Sequence, residues 1–219
     1  MSTRRSSGEF DALVLAGGSS TRLGADKTRL TIGGTSLLDR VLAAVRDADR
    51  VIVVGDERRT ARPVKWLRED PPGSGPAAAV VAGLAEVRAD LVVVLAGDLA
   101  MVDSGTVGRL LAALGGPDDD AADSHGPAGH SHGRAGAPDG ALLTDQDGRR
   151  QHLTGAHRTA ALRRAAAARE SWTDAAMHLL LAPLSISAVV PHGNEAHDVD
   201  TPADLAAAVK SARGPELPR

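Results

Sequence analysis

The chain has 219 residues, no cysteine and a formal net charge of -3, which excludes a disulfide framework, a thiolate metal site, a cysteine nucleophile and any general attraction to nucleic acid or anionic membrane. Residues AVILMFWYC make up 42% but aromatics only 1%, so the core of the expected single α/β domain must be filled by Ala, Val and Leu. No apolar stretch follows "MSTRRSSGEF" as in a signal peptide, and no apolar run reaches the length of a membrane span, so a cytoplasmic protein that contacts no membrane is expected.

In chain order, residues 1–9 read as a flexible start. "DALVLA" (Asp11 to Ala16), "RVIVVG" (Arg50 to Gly55) and "DLVVVLAGD" (Asp90 to Asp98) are short, nearly continuous runs rich in β-branched residues, as in strands buried on both faces of a parallel sheet. Between them, "SLLDRVLAAVRDA" sets Leu37, Leu38, Val41, Leu42 and Val45 on one helical stripe behind Ser36 as N-cap. "PAAAVVAGLAEVRA" opens with Pro76 at a first helical position, and "VDSGTVGRLLAAL" carries another stripe. Alternation of this kind predicts a Rossmann-like, doubly wound, mostly parallel sheet with ligands at the C-terminal strand ends.

Residues 115–139, rich in Gly, Pro and Asp and carrying His125, His130 and His132, read as a disordered polar insertion. Beyond it, "GALLTD" predicts a strand, "GRRQHLTGAH" a loop or hairpin, "RTAALRRAAAARE" and "SWTDAAMHLLL" helices, "LSISAVV" a strand and "TPADLAAAVKSA" a final helix. The domain is expected over 10–213, with 214–219 as a flexible end.

The chemistry concentrates in "LVLAGGSSTRLGADKTRL" (Leu13 to Leu30). A strand that stops at Gly17 and Gly18 turns sharply and exposes bare backbone N–H groups, which suit phosphate. Arg22 adds a planar fork and Lys27 a point charge, enough for a multiply charged anion. The stretch is neither a Walker A loop, since Asp26 stands where that loop needs Gly before Lys, nor the dinucleotide fingerprint, whose glycine spacing it misses.

"LAGGSSTRLGADK" resembles the signature of the MobA-like nucleotidyltransferases, the family of the molybdenum cofactor guanylyltransferases, usually LAGG-x-S-x-R-M/L-G-x-D-K. Three later stretches are similar to segments of that family in the same order. "DPPGSGPAAAVVAGL" aligns Asp70, Gly75 and Pro76; "VVVLAGD" ends in Asp98; "HDVDTPADL" supplies Asp198 and Asp200. The chain departs from the family where His152 replaces a common Pro, where His157 replaces an aromatic, and at Ala100, often Pro, so a looser turn after Asp98 is expected.

The resemblance implies a nucleotide-diphospho-sugar transferase-like fold and transfer of GMP from GTP to the phosphate of molybdopterin or the molybdenum cofactor, with pyrophosphate released. It implies Leu15, Ala16, Gly17, Gly18, Ser19, Lys27, Asp70 and Gly75 around the nucleotide, Arg22, Lys27 and Asp98 as catalytic residues, and Asp98 and Asp200 on Mg2+, with Asp198 competing for the second place. Other cofactor-biosynthesis or acceptor enzymes are implied as transient partners. Helix capping by Asp200 and turn roles for Asp70 and Asp98 stay open as simpler readings. The arginines Arg149, Arg150, Arg158, Arg163 and Arg164 offer either a pterin-phosphate contact or a solvated basic face. A cytidylyltransferase, a transferase for another small phosphorylated acceptor, and a non-catalytic nucleotide-binding protein remain as alternatives.

Overall fold

A computed structural model describes residues 10–17, 27–115, 136–193, Glu195 and Asp204. The expected flexible ends, residues 116–135 of the insertion with its three histidines, and all of the final helix but Asp204, which is helical, lie outside the described residues, whereas the insertion's last residues are held in place, the Asp139 N–H bonding to Ser185 O at 2.9 Å.

Among the described residues the main sheet has seven strands: β1 (Phe10–Leu15), β4 (Val51–Val54), β5 (Lys65–Leu67), β6 (Leu91–Ala96), β7 (Gly140–Thr144), β8 (Arg150–Arg158) and β9 (Ile186–Val189). Their order is β5-β4-β1-β6-β8-β7-β9, and of these seven β8 alone runs antiparallel to its neighbours. A small antiparallel hairpin, β2 (Thr31–Ile32) with β3 (Thr35–Ser36), stands apart. The chain leaves β1 toward β4 on one side and returns to β6 on the other, so the order reverses between β1 and β6. In open α/β sheets such a reversal is where a ligand crevice forms, at the C-terminal ends of the strands.

The helices are α1 (Leu37–Ala44), α2 (Pro76–Leu84), α3 (Ser104–Ala112), α4 (Thr159–Ala166) and α5 (Met177–Leu181). The apolar stripe expected on α1 is fully buried, and Ser36 caps it by accepting from the Asp39 N–H at 3.0 Å. Pro76 takes the first position of α2. Asp103 caps α3 through the Thr106 N–H at 2.9 Å, and that bond is the leading cause holding its carboxyl below the usual carboxylate range. Two cores fill the faces of the sheet, one under α1 and α3, the other under α2, α4 and α5. Among the described residues no helix is long and apolar enough to cross a membrane.

Three expectations need correction. "GRRQHLTGAH" is neither loop nor lone hairpin: as β8 it pairs with β6 on one side and β7 on the other, and its second half is buried. Tertiary pairing here overrides a polar sequence. The helix expected over 171–181 begins only at Met177, because the segment before it turns through Asp174 at a positive φ of 56°. The turn after Asp98 is not loose: Leu99 and Ala100 are buried, and the Ala100 carbonyl accepts from Arg40 Nε at 3.0 Å.

Candidate active site

Leu15 and Ala16 are buried and Gly17 is exposed at the end of β1. Two glycines on neighbouring strands press on this end. Gly55, just after β4, has φ +152°, and a Cβ there would stand 2.8 Å from the Ala16 carbonyl carbon and 2.9 Å from the Gly17 nitrogen. Gly97, just after β6, donates its N–H to Leu15 O at 2.8 Å, and a Cβ on it would stand 2.9 Å from the same oxygen. Only glycine lets three strand ends converge so closely, and the convergence presents backbone toward the crevice. Neither glycine belongs to the opening motif; the signal for them was a strand-like run ending in Gly.

Lys27 reaches this place through its neighbour. It is half-buried in a 3-10 turn (Lys27–Arg29), and the Thr28 methyl carbon lies 3.2 Å from where a Gly97 Cβ would be. Arg58 donates to Thr28 Oγ1, and its guanidinium lies over the Trp66 ring at 5.6 Å from the centroid. Below the turn, Ile32 and Leu37 form a small core with Ala100, with Leu30 and Met101 packed against it. The segment carrying Lys27 is therefore docked on the turn that carries Asp98. Asp98 itself is half-buried, directly after Gly97.

Asp70 and Gly75 stand on the same edge of the sheet, between the C-terminal end of β5 and the start of α2. Asp70 is exposed and joined to Pro71 by a cis peptide bond. Ser74 Oγ donates to Pro71 O, and Glu69 Oε1 accepts from the Gly73 N–H at 2.9 Å. Gly75 caps α2 with φ +90°, and the Asp174 N–H bonds to Ser74 O at 2.8 Å, bracing this loop from the turn before α5. Leu15, Ala16, Gly17, Lys27, Asp70, Gly75 and Asp98 thus share one edge. Gly18, Ser19, Arg22, Asp198 and Asp200 lie outside the described residues. Glu195, buried and paired with Arg109 of α3, also accepts from the His192 N–H at 2.9 Å and anchors the chain shortly before Asp198.

The arginines separate by edge. Because β8 is antiparallel, Arg158 faces Leu91 at the N-terminal end of β6, away from Asp98. Its guanidinium donates to Leu114 O and Pro138 O, while Arg163 donates to Leu84 O and Val87 O. Arg164 pairs with Asp139 at 3.5 Å. Arg158 and Arg163 thus tie connections together at the edge away from Asp98, while Arg164 stays solvent-exposed on its helix. Arg149 and Arg150 stand instead at the site edge, where Arg150 pairs with Thr144 at the C-terminal end of β7.

His157 cannot serve as a catalytic base. It is fully buried, neither ring nitrogen has a hydrogen-bond partner, and burial pushes it down to about 4. Its ring occupies space left by Gly140 and Gly155, whose added Cβ atoms would stand 2.5 and 3.2 Å from its nitrogens. His152 is exposed beside His178, a residue that no motif in the sequence singles out.

Comparison with known proteins agrees with this architecture. The family model described as the MobA-like NTP transferase domain matches residues 12–185. A probable molybdenum cofactor guanylyltransferase of Synechococcus elongatus is 40% identical over 98 residues, covering 41% of this chain and 50% of the relative. The chain spans about half the length of the curated relatives it matches. The 2-C-methyl-D-erythritol 4-phosphate cytidylyltransferase of Thermus thermophilus shares 22% identity at a TM-score of 0.63, over 93% of this chain and 98% of that one. Molybdopterin-guanine dinucleotide biosynthesis protein A of Archaeoglobus fulgidus shares 18% at 0.63, with the same coverage. These two establish a common fold and nothing finer. With its strand order, its glycine-lined crevice and a family match over most of its length, the chain belongs to the MobA-like NTP transferase domain family.

Proposed function

We propose that the chain is a nucleotidyltransferase that moves GMP from GTP to the phosphate of molybdopterin or its molybdenum form. The observation that carries this reading is the docking of the Lys27 turn on Gly97, beside Asp98 and across from the exposed Gly17. Such a crevice offers backbone N–H groups, a cation and a carboxylate to one ligand, the set that phosphoryl chemistry requires.

In the proposed reaction an oxygen of the acceptor phosphate attacks the α-phosphorus of GTP. A new P–O–P link forms, the bond to the β-phosphate breaks, and pyrophosphate leaves with its electron pair. Both reactants are anions, so charge neutralisation and alignment are the main tasks, and a phosphate nucleophile needs no strong base. Gly17, Gly18 and Ser19 would cradle the triphosphate, Arg22 would hold the leaving phosphates, and Lys27 would offset charge at the α-phosphorus. Asp70 and Gly75 would flank the nucleoside, with Leu15 and Ala16 supplying backbone at its other side. A half-buried carboxylate at a strand end suits a hard cation that takes oxygen ligands and keeps several waters. Asp98 and Asp200 would hold Mg2+, which would supply charge neutralisation to the phosphates.

The test is pyrophosphate release from GTP, CTP, ATP and UTP with Mg2+, each with and without molybdopterin. Acceptor-dependent release with GTP is expected. Release with CTP alone would make the chain a cytidylyltransferase, and no release with any nucleotide would remove the catalytic reading.

A further inference from the structure

We propose that His152 and His178 form the subsite that takes the phosphate of the acceptor. This deepens the nucleotidyltransferase reading and rests on it. The last paired residues of β6 and β8 at this edge are Leu95 and Thr154, so His152 continues β8 beyond the point where β6 gives way to Gly97 and Asp98. His152, in β8, and Asp98, just past β6, thus both lie beyond the last β6–β8 pair at the same edge of the sheet. The crevice floor over Gly17 lies on the opposite side of Asp98, on β1. Donor phosphates over Gly17 and an acceptor phosphate over β8 would then meet at Asp98 from two sides, as in-line transfer requires.

The chemistry of the pair favours an anion. The His152 and His178 rings have centroids 6.1 Å apart at an interplanar angle of 55°, and both residues are exposed. A phosphate carries several acceptor oxygens, so one anion at this separation reaches an N–H of each ring. Partial burial first, then the neighbouring His178 and Arg150, lowers the pKa of His152, so it meets an anion as a neutral N–H donor. A bound anion would favour the protonated form that this environment opposes. The Arg150 guanidinium itself donates to Ile186 O of β9 at 3.4 Å and stays outside the pair. A metal ion is the poorer occupant: among the described residues no third His, Cys, Asp or Glu joins the pair, and Arg150 repels a cation.

Two readouts test the subsite. In the first, the imidazole ring signals of the full chain are followed by NMR during titration with inorganic phosphate at neutral pH, with His152→Gln and His178→Gln used to assign them. Saturable shifts of both rings are expected; phosphate that moves neither, or Zn2+ that moves both where phosphate does not, would overturn the assignment. In the second, each substitution is expected to raise the KM for molybdopterin about tenfold, with kcat and the KM for GTP within about twofold of wild type. An unchanged acceptor KM, or a rise in the KM for GTP instead, would contradict it. Failure of the wild-type chain to release pyrophosphate would count against the proposed function, whereas the phosphate titration reads the subsite without turnover.

Discussion

From β5 to β6 the sheet is all parallel, and its strand ends converge on Ala16 and Gly17 through backbone, with Gly55 and Gly97 leaving no room for a side chain. From β8 to β9 an antiparallel strand intervenes, and side chains fill the space: His157 over Gly140 and Gly155, Arg158 against the Leu114 carbonyl, His152 beside His178. A site built from backbone tolerates few substitutions, because an added Cβ meets main chain that cannot move aside. A site built from side chains can change its ligand while the sheet stays intact. The first half is therefore suited to a step shared across a family, and the second, on the proposed reading, to the choice of acceptor.

The sharpest way to break this division is at the crevice. Asp98→Asn is expected to lower turnover about 10²–10³-fold, and Lys27→Ala about 10²-fold, each with an unchanged circular dichroism spectrum. Turnover like that of the wild type in Asp98→Asn would remove the metal role, and a loss confined to thermal stability in Lys27→Ala would remove the phosphate role.

In the other half, the buried His157 should tune stability rather than rate. Its folded pKa of about 4 lies below the 6.5 of an exposed imidazole. Between those values the unfolded chain binds a proton that the folded chain refuses, so stability is fully present above 6.5 and falls as pH drops toward 4. By linkage the loss amounts to about 3 kcal/mol. Urea midpoints across that range should fall steeply for wild type and less for His157→Leu, in which that titration is gone; parallel slopes would show that His157 titrates normally. A smaller effect is expected at Gly55→Ala, about 2 kcal/mol of stability from the forced backbone shift, with GTP binding weakened along with it. An alanine variant with wild-type midpoint and GTP affinity would mean that the close approach at Ala16 has no role.

The same division decided what the sequence made visible. Strands β1, β4 and β6 announce themselves through apolar runs buried on both faces, and each stops at a glycine or just before one, so the crevice and Lys27 could be anticipated from Leu13 to Leu30. Pro76 and Ser36 marked their helix starts for local reasons, a fixed φ and a capping oxygen. Strand β5 escaped because Lys65–Leu67 is an edge strand of three residues behind Pro63, too short for a period. The hairpin of β2 and β3 was missed although its Gly33-Gly34 turn is a recognisable hairpin signal. Strand β8 reads as polar because its first residues lie at the exposed site edge, and only pairing with β6 and β7 reveals the rest. The pairing of His152 with His178 and the structural tasks of Arg158 and Arg163 link residues far apart in the chain, which no local pattern encodes.

The central claim is that Lys27 and Asp98 act on one reacting centre because Thr28 seats their two turns together on Gly97. A double-mutant cycle on Mg2+-dependent pyrophosphate release, with Lys27→Ala, Asp98→Asn and both, tests it most directly. Residues that serve the same transition state lose their effect together, so the double variant should be about as slow as the slower single one. Two rate losses that simply multiply would show that the residues act independently and would contradict the account.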